Sequence, residues 1–158
     1  MRRFAMALMT LALAGCGTLS PPAPTPGSMD DVIAALVLRG ATIHRLVSGD
    51  AGCPSSDLHS NAVHMEVALG SQSATHEIYL FRWRQAADFE SSAKPFDDCI
   101  AEYRSLNPAR PVDRLEAQPW RAYGPGWTEQ LRSTLLDALR AAGGAAWRRE
   151  REHSGTIG

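Results

Sequence analysis

Hydrophobic and polar residues in the middle of the chain follow helical spacing in some segments and strand alternation in others. The first helix is predicted from Ser28 to Gly40, because serine is a favoured N-cap and glycine often ends a helix in the left-handed conformation. Asp30 and Asp31 lie in its first turn, where the helix dipole favours acidic side chains. Its apolar face contains Val32, Ile33, Leu36 and Val37.

Three strands are predicted after this helix, at residues 41–47, 62–69 and 76–83. A long connection rich in Gly, Ser, Asp and Pro separates the first two strands. Residues 70–75 form a short turn, which makes the second and third strands an antiparallel hairpin. The third strand is apolar on both faces, as is typical of a central strand that is covered on each side.

The second half of the chain adds two helical regions and one strand. Residues 85–106 are predicted to be helical in two pieces around Pro95, and a final helix is predicted to begin near Thr128 and to end at residues 143–144. A strand is expected at residues 111–117, and its proline start favours an edge position. The order of elements predicts an α+β domain with a single small, mainly antiparallel sheet of about four strands and helices packed on it.

The N-terminus has the pattern of an export signal. Arg2 and Arg3 precede an apolar stretch of about ten residues, which suits a signal peptide and is too short to span a bilayer. Small residues then lead to a cysteine in the sequence Leu13-Ala14-Gly15-Cys16. This segment resembles the lipobox of bacterial lipoproteins at all four positions. The alternative is an ordinary secretory signal that is cleaved nearby, with Cys16 incidental.

The resemblance implies that cleavage occurs before Cys16 and that this cysteine carries a lipid anchor. Several acyl chains give a lasting attachment, since each buried methylene contributes about 0.8 kcal/mol. The implied location is extracytoplasmic, on the outer face of the cell membrane or at the outer membrane and periplasm. The predicted organisation is a signal peptide, a proline-rich tether, a globular domain and a charged flexible tail, at residues 1–15, 16–27, 28–144 and 145–158.

Composition and charge narrow the range of partners. The chain has 158 residues, 44% of them hydrophobic, and a formal net charge of −1. This length predicts one domain, and the apolar content argues against a mostly disordered chain. Because the chain lacks the basic excess of nucleic-acid-binding proteins, no nucleic-acid partner is expected. The expected partners are membrane lipid, through the Cys16 anchor, and an envelope protein or a small ligand.

Two cysteines remain when Cys16 is set aside. An even pair in an oxidising compartment is usually bridged, so a disulfide between Cys53 and Cys99 is predicted. It would attach the long polar loop to the apolar face of a helix. The alternatives are two separate thiols or a redox pair, although the CxxC spacing of redox pairs does not occur in the sequence.

Four histidines lie close together in the sequence and raise the question of a metal site. These are His44, His59, His64 and His76, with Asp57 nearby. Zinc requires three or four converging ligands, and neither an HxH nor an HExxH spacing occurs. Solvated or singly hydrogen-bonded histidines are therefore the favoured interpretation, with no metal and no cofactor expected.

An aromatic segment at residues 118–127 is predicted to be a loop punctuated by Gly and Pro. Trp120, Arg121, Tyr123 and Trp127 are its candidate binding residues, because such side chains are enriched in recognition surfaces. The favoured interpretation is that the rings cover the open end of the core instead. Arg82, Trp83 and Arg84 form a possible cationic and aromatic edge to the same surface.

The sequence contains neither the GxSxG nor the GxGxxG signature. The hypothesis is therefore a membrane-anchored extracytoplasmic lipoprotein with a binding or envelope-structural role, and no enzymatic activity is expected. The contrasting hypothesis is a secreted hydrolase or a metal-dependent enzyme that uses the histidine-bearing strands.

Overall fold

The computed structural model describes residues 27–71 and 74–143, except for the side chain of Ser56. The elements in chain order are α1 Met29–Leu38, β1 Ala41–Ser48, α2 Ser56–His59, β2 Ala62–Leu69, β3 His76–Arg82, α3 Ala86–Ser91, α4 Ala93–Leu106, β4 Val112–Ala117, β5 Trp120–Pro125 and α5 Glu129–Gly143. The lipobox, the tether and the charged tail lie outside the described residues. None of the described helices is long and apolar enough to cross a membrane.

The strands form one antiparallel sheet in the order β1-β2-β3-β5-β4. The α+β fold class is therefore confirmed, with five strands where about four were expected. The central position of β3 and the edge position of β4 are also confirmed. The hairpin of β2 and β3 pairs His64 with Tyr79 and Met65 with Ile78.

The additional strand is β5, in the segment predicted to be an aromatic loop, so that prediction is wrong. Successive side chains of β5 point to opposite faces of the sheet, and both faces are covered. Trp120 and Ala122 pack into the core on one face, whereas Tyr123 packs into the core on the other. The glycine and proline residues suggested a loop, but burial of both faces decides the local structure.

The sheet separates two hydrophobic cores. On one face, α1 and α5 pack over side chains such as Met65, Leu80 and Trp120. On the other face, α4 and the segment before β2 pack over Tyr79, Phe81 and a ring of further aromatic side chains. Because each buried large side chain contributes about 1.5–3 kcal/mol, both cores stabilise the domain substantially.

Helix boundaries follow from capping. At α1 the Ser28 hydroxyl accepts a hydrogen bond from the Asp31 amide at 3.2 Å, and the Asp31 carboxylate accepts one from the Ser28 amide at 2.6 Å. Hydrogen bonds from the Ser28 backbone and side chain lower the pKa of Asp31. The Thr128 hydroxyl caps α5 by accepting from the Leu131 amide at 3.2 Å. Both predicted helix starts are thus confirmed.

The helical region predicted at residues 85–106 is divided at a different residue from the predicted one. The break between α3 and α4 occurs at Ser92, and Pro95 lies inside the first turn of α4. A proline is tolerated there because the first amides of a helix have no partner within the helix. The prediction of two pieces is confirmed, and their boundary at Pro95 is corrected.

Candidate functional site

A surface cavity of about 370 Å³ lies between α2 and the region where α3 meets α4. Asp57, Leu58 and Asn61 form the wall on the α2 side. Gln85, Asp88, Ser91, Ser92 and Pro95 form the wall on the side of α3 and α4. Trp83 and Arg84, at the end of β3, complete the lining. This volume is near the lower end of the range of roughly 300–1,000 Å³ that is typical of small-molecule sites.

The two walls are joined by the disulfide between Cys53 and Cys99. Cys53 precedes α2, Cys99 lies in α4, and their Cα atoms are 5.5 Å apart. Both cysteines are buried in the core that also contains Leu58. The predicted disulfide is confirmed, and its position means that it fixes the separation of the cavity walls.

Most polar side chains that line the cavity have no partner within the protein. Among the described residues, the side chains of Asp57, Asn61, Arg84, Gln85 and Asp88 make no internal hydrogen bond or ion pair. Four of these five side chains are exposed, and Asn61 is half-buried. Their hydrogen-bonding groups therefore remain available to a ligand.

Charged groups elsewhere on the surface of the domain are commonly paired. Arg114 lies 2.6 Å from Asp97, and Arg132 lies 2.7 Å from Asp113. Paired side chains of this kind satisfy one another and have less to offer a ligand. In the cavity, charges of both signs line one opening and do not pair with one another.

A buried arginine lies behind the cavity. The Cζ atom of Arg121 is 4.1 Å from the ring centre of Phe89 and 5.3 Å from that of Trp83. Arg121 donates to the Ser92 hydroxyl at 3.0 Å and its Nε lies 3.3 Å from a carboxylate oxygen of Glu116. Because the side chain is only 3% exposed, it needs these partners to offset the loss of hydration. Arg121 thus fixes the positions of Trp83 and Ser92, which both line the cavity.

The other three candidate binding residues of the aromatic segment lie inside the domain. Trp120 and Tyr123 are fully buried, and Trp127 is 7% exposed. The Trp127 indole donates to the Glu77 carbonyl at 2.9 Å, which closes one end of the sheet. Trp120, Arg121, Tyr123 and Trp127 are therefore buried and not on a contact surface. Both faces of β5 are covered, and the indole of Trp127 is held against β3.

The four histidines are not brought together. His64 faces the α4 side of the sheet, where its Nδ1 lies 3.0 Å from Asp50 and its ring stacks on Tyr79. His59 lies in α2, and its Nε2 is 3.1 Å from the Cys53 carbonyl oxygen. His44 is exposed at the irregular register of β1, and His76 pairs with Val67. In residues 27–71 and 74–143, no group of three or more His, Cys, Asp or Glu side chains is arranged to hold a metal ion.

Three tyrosines pack against one another beside the disulfide. The ring centres of Tyr79 and Tyr123 are 4.9 Å apart, and Tyr103 contacts both rings edge-on. Burial raises the pKa of Tyr79 to about 12 and also raises the pKa values of Tyr103 and Tyr123. All three phenols therefore remain protonated near neutral pH. Tyr123 donates to the Ala51 carbonyl at 2.6 Å and so holds the segment that leads to Cys53.

Sequence reasoning found only part of the cavity. It considered Arg84 as a cationic edge and Asp57 as a companion of the histidines, and it missed Asn61, Gln85 and Asp88. The available signal was the predicted disulfide, which brings the polar loop that contains Asp57 to the helical region after β3. Which side chains line the space between them depends on packing that spacing in the sequence does not encode.

Searches of protein-family models, curated proteins and solved structures find no match to this chain. The candidate site is therefore defined by its geometry alone.

Proposed function

We propose that this protein is a lipid-anchored extracytoplasmic binding protein whose ligand site is the cavity between α2 and the junction of α3 and α4. The observation that carries the binding role is a cavity of about 370 Å³ in which most polar side chains lack internal partners. A disulfide fixes the separation of its two walls. The disulfide limits the backbone entropy that is lost when a ligand binds.

The anchor is supported by the sequence Leu13-Ala14-Gly15-Cys16, which resembles a lipobox. The Cys53–Cys99 disulfide agrees with export, because structural disulfides persist in oxidising compartments and are rare in the cytosol. Ten residues separate Cys16 from Gly27, where the described part of the domain begins. Pro21, Pro22, Pro24 and Pro26 lie in this segment and favour an extended chain that would hold the cavity away from the membrane.

Replacement of Cys16 tests the anchor. A Cys16→Ser variant is expected to lose incorporation of radioactive palmitate and to accumulate as an uncleaved precursor. Continued labelling of this variant would contradict the proposal.

A cavity-filling substitution tests the binding role. Ser91 is exposed at the cavity wall, and its hydroxyl bonds only to the Asp88 carbonyl one helical turn earlier. Ser91→Trp is therefore expected to occupy the cavity with little effect on stability. Ser133→Trp is the matched control, because Ser133 makes the same type of bond to Gln130 on the exposed side of α5.

The measurement is a set of amide chemical-shift changes in the full processed protein during titration with amino acids, sugars, organic anions and polyamines. Binding of at least one of these classes is expected to shift the amides around Trp83, Arg84 and Asp88. Ser91→Trp should abolish those shifts, and Ser133→Trp should preserve them. Shifts that survive Ser91→Trp, or none from any of the four classes, would contradict a binding role for the cavity.

A further inference from the structure

The cavity carries unpaired charges of both signs. Asp57 and Asp88 contribute two carboxylates, one from each wall, and Arg84 contributes a guanidinium between the walls at the end of β3. None of the three forms an ion pair with another described residue. A ligand that carries only one sign of charge would leave the opposite charges of the lining without a partner.

The charge pattern favours a zwitterion over a neutral ligand. Hydrogen bonds between charged partners are roughly twice as strong as those between neutral groups. A ligand with both an ammonium and a carboxylate group would bind the aspartate carboxylates and the Arg84 guanidinium of the cavity at the same time. Asn61 and Gln85 add side-chain amides, which can both donate to and accept from a peptide group.

The size and the apolar part of the lining restrict the ligand further. Leu58, Trp83 and Pro95 supply apolar surface among the polar groups. Leu58 and Trp83 are almost fully buried, so they present only small flat areas to the cavity. A volume of about 370 Å³ suits a small molecule with a short aliphatic side chain.

We propose that the cavity binds a zwitterionic α-amino acid or short peptide, with its ammonium group at Asp57 and Asp88 and its carboxylate at Arg84. This inference rests on the proposed binding role of the cavity and adds the chemical class of the ligand.

The test is calorimetric titration of the full processed protein with alanine, leucine, dialanine and trialanine. The ligand that binds most tightly is then titrated again in two blocked forms, one acetylated at the amino end and one amidated at the carboxyl end. Each blocked derivative removes one charge and is expected to bind at least about tenfold more weakly, in line with hydrogen bonds to charged groups.

Variants assign each end of the ligand. Arg84→Gln should weaken binding of the unblocked ligand about tenfold and leave binding of the amidated ligand nearly unchanged, because that ligand has no carboxylate to lose. Asp88→Asn should weaken binding of the unblocked ligand and leave binding of the acetylated ligand nearly unchanged. Arg140→Gln and Asp137→Asn are the matched controls, since both residues are exposed and unpaired on α5. These controls should change neither affinity.

The inference is overturned if the blocked derivatives bind as tightly as the free ligand, or if Arg84→Gln behaves like Arg140→Gln. N-acetylglucosamine is titrated in parallel as a neutral ligand of similar size. If this sugar binds more tightly than the amino acids and peptides, and Ser91→Trp abolishes its binding, the zwitterionic ligand class is wrong and the cavity is still a binding site. Absence of heat from every ligand at millimolar concentration would overturn both.

Discussion

Reduction of the Cys53–Cys99 disulfide is expected to lower the free energy of unfolding by about 4 kcal/mol. The bridge closes a loop with a sequence separation of 46 residues. The chain-entropy relation for a loop of this length gives about 4 kcal/mol at 25 °C, because reduction frees the unfolded chain. For a domain of this size, the same change lowers the melting temperature by roughly 15 °C.

Contacts in the folded domain indicate what would loosen first. Cys99 Sγ lies 3.5 Å from the Ala51 carbonyl oxygen and 3.6 Å from the Tyr123 hydroxyl. The Tyr123 hydroxyl also donates to the Ala51 carbonyl, so the segment before α2 keeps one attachment to the sheet after the bridge is broken. The α2 wall of the cavity loses its covalent tie to α4, so we expect ligand binding to weaken before the sheet itself unfolds.

The assay is urea unfolding of the full processed protein, followed by tryptophan fluorescence, with and without reductant. A variant with both Cys53→Ala and Cys99→Ala should reproduce the reduced protein within about 1 kcal/mol, apart from the cost of the small cavities that it creates. The m-value should rise on reduction, since the unfolded chain exposes more surface. If reduction changes the free energy of unfolding by less than about 1 kcal/mol, the reasoning about this loop is wrong.

Two further changes test the folded core and the first helix. Arg121→Met should destabilise the domain by about 1–3 kcal/mol in thermal or urea unfolding, because the buried Ser92 hydroxyl loses its donor while the partly exposed Glu116 keeps Arg114. A neutral result would show that the aromatic packing around residue 121 is sufficient. Ser28→Ala should cost about 0.5–2 kcal/mol at pH 7. Hydrogen bonds from the Ser28 backbone and side chain lower the folded pKa of Asp31, so the stabilisation from these two bonds is fully present above the ordinary aspartate pKa of 3.8 and is lost as the pH falls through the folded value. Ser28→Ala keeps the backbone bond and removes only those of the hydroxyl. An unchanged free energy of unfolding in Ser28→Ala at pH 7 would refute the capping explanation.

The sequence could predict those parts of the fold that local pattern determines. Alternation identifies β2, and apolar side chains on both faces identify β3 as the central strand. β5 was missed because Gly124, Pro125 and Gly126 have the composition of a turn. The close approach of Gly124 to the Glu77 carbonyl and the Trp127 ring, where a Cβ would overlap both, explains the glycine only after the sheet is known.

The candidate site was less accessible to sequence reasoning than the fold. Its cysteine bridge followed from an even count and an export signal, and that prediction is confirmed. The cavity itself arises where α2, the end of β3 and the junction at Ser92 meet. That its charged side chains lack internal partners is a property of the folded chain, which spacing in the sequence does not show.

We propose that this chain works outside the cytoplasm on a lipid anchor, with its cavity held by a disulfide. Mass spectrometry of the protein isolated without reductant from the membranes of its native host tests this claim most directly. We expect a mature N-terminal Cys16 that carries acyl chains and a peptide pair that joins Cys53 to Cys99. An intact Met1 on a soluble chain with two alkylatable thiols at Cys53 and Cys99 would contradict it.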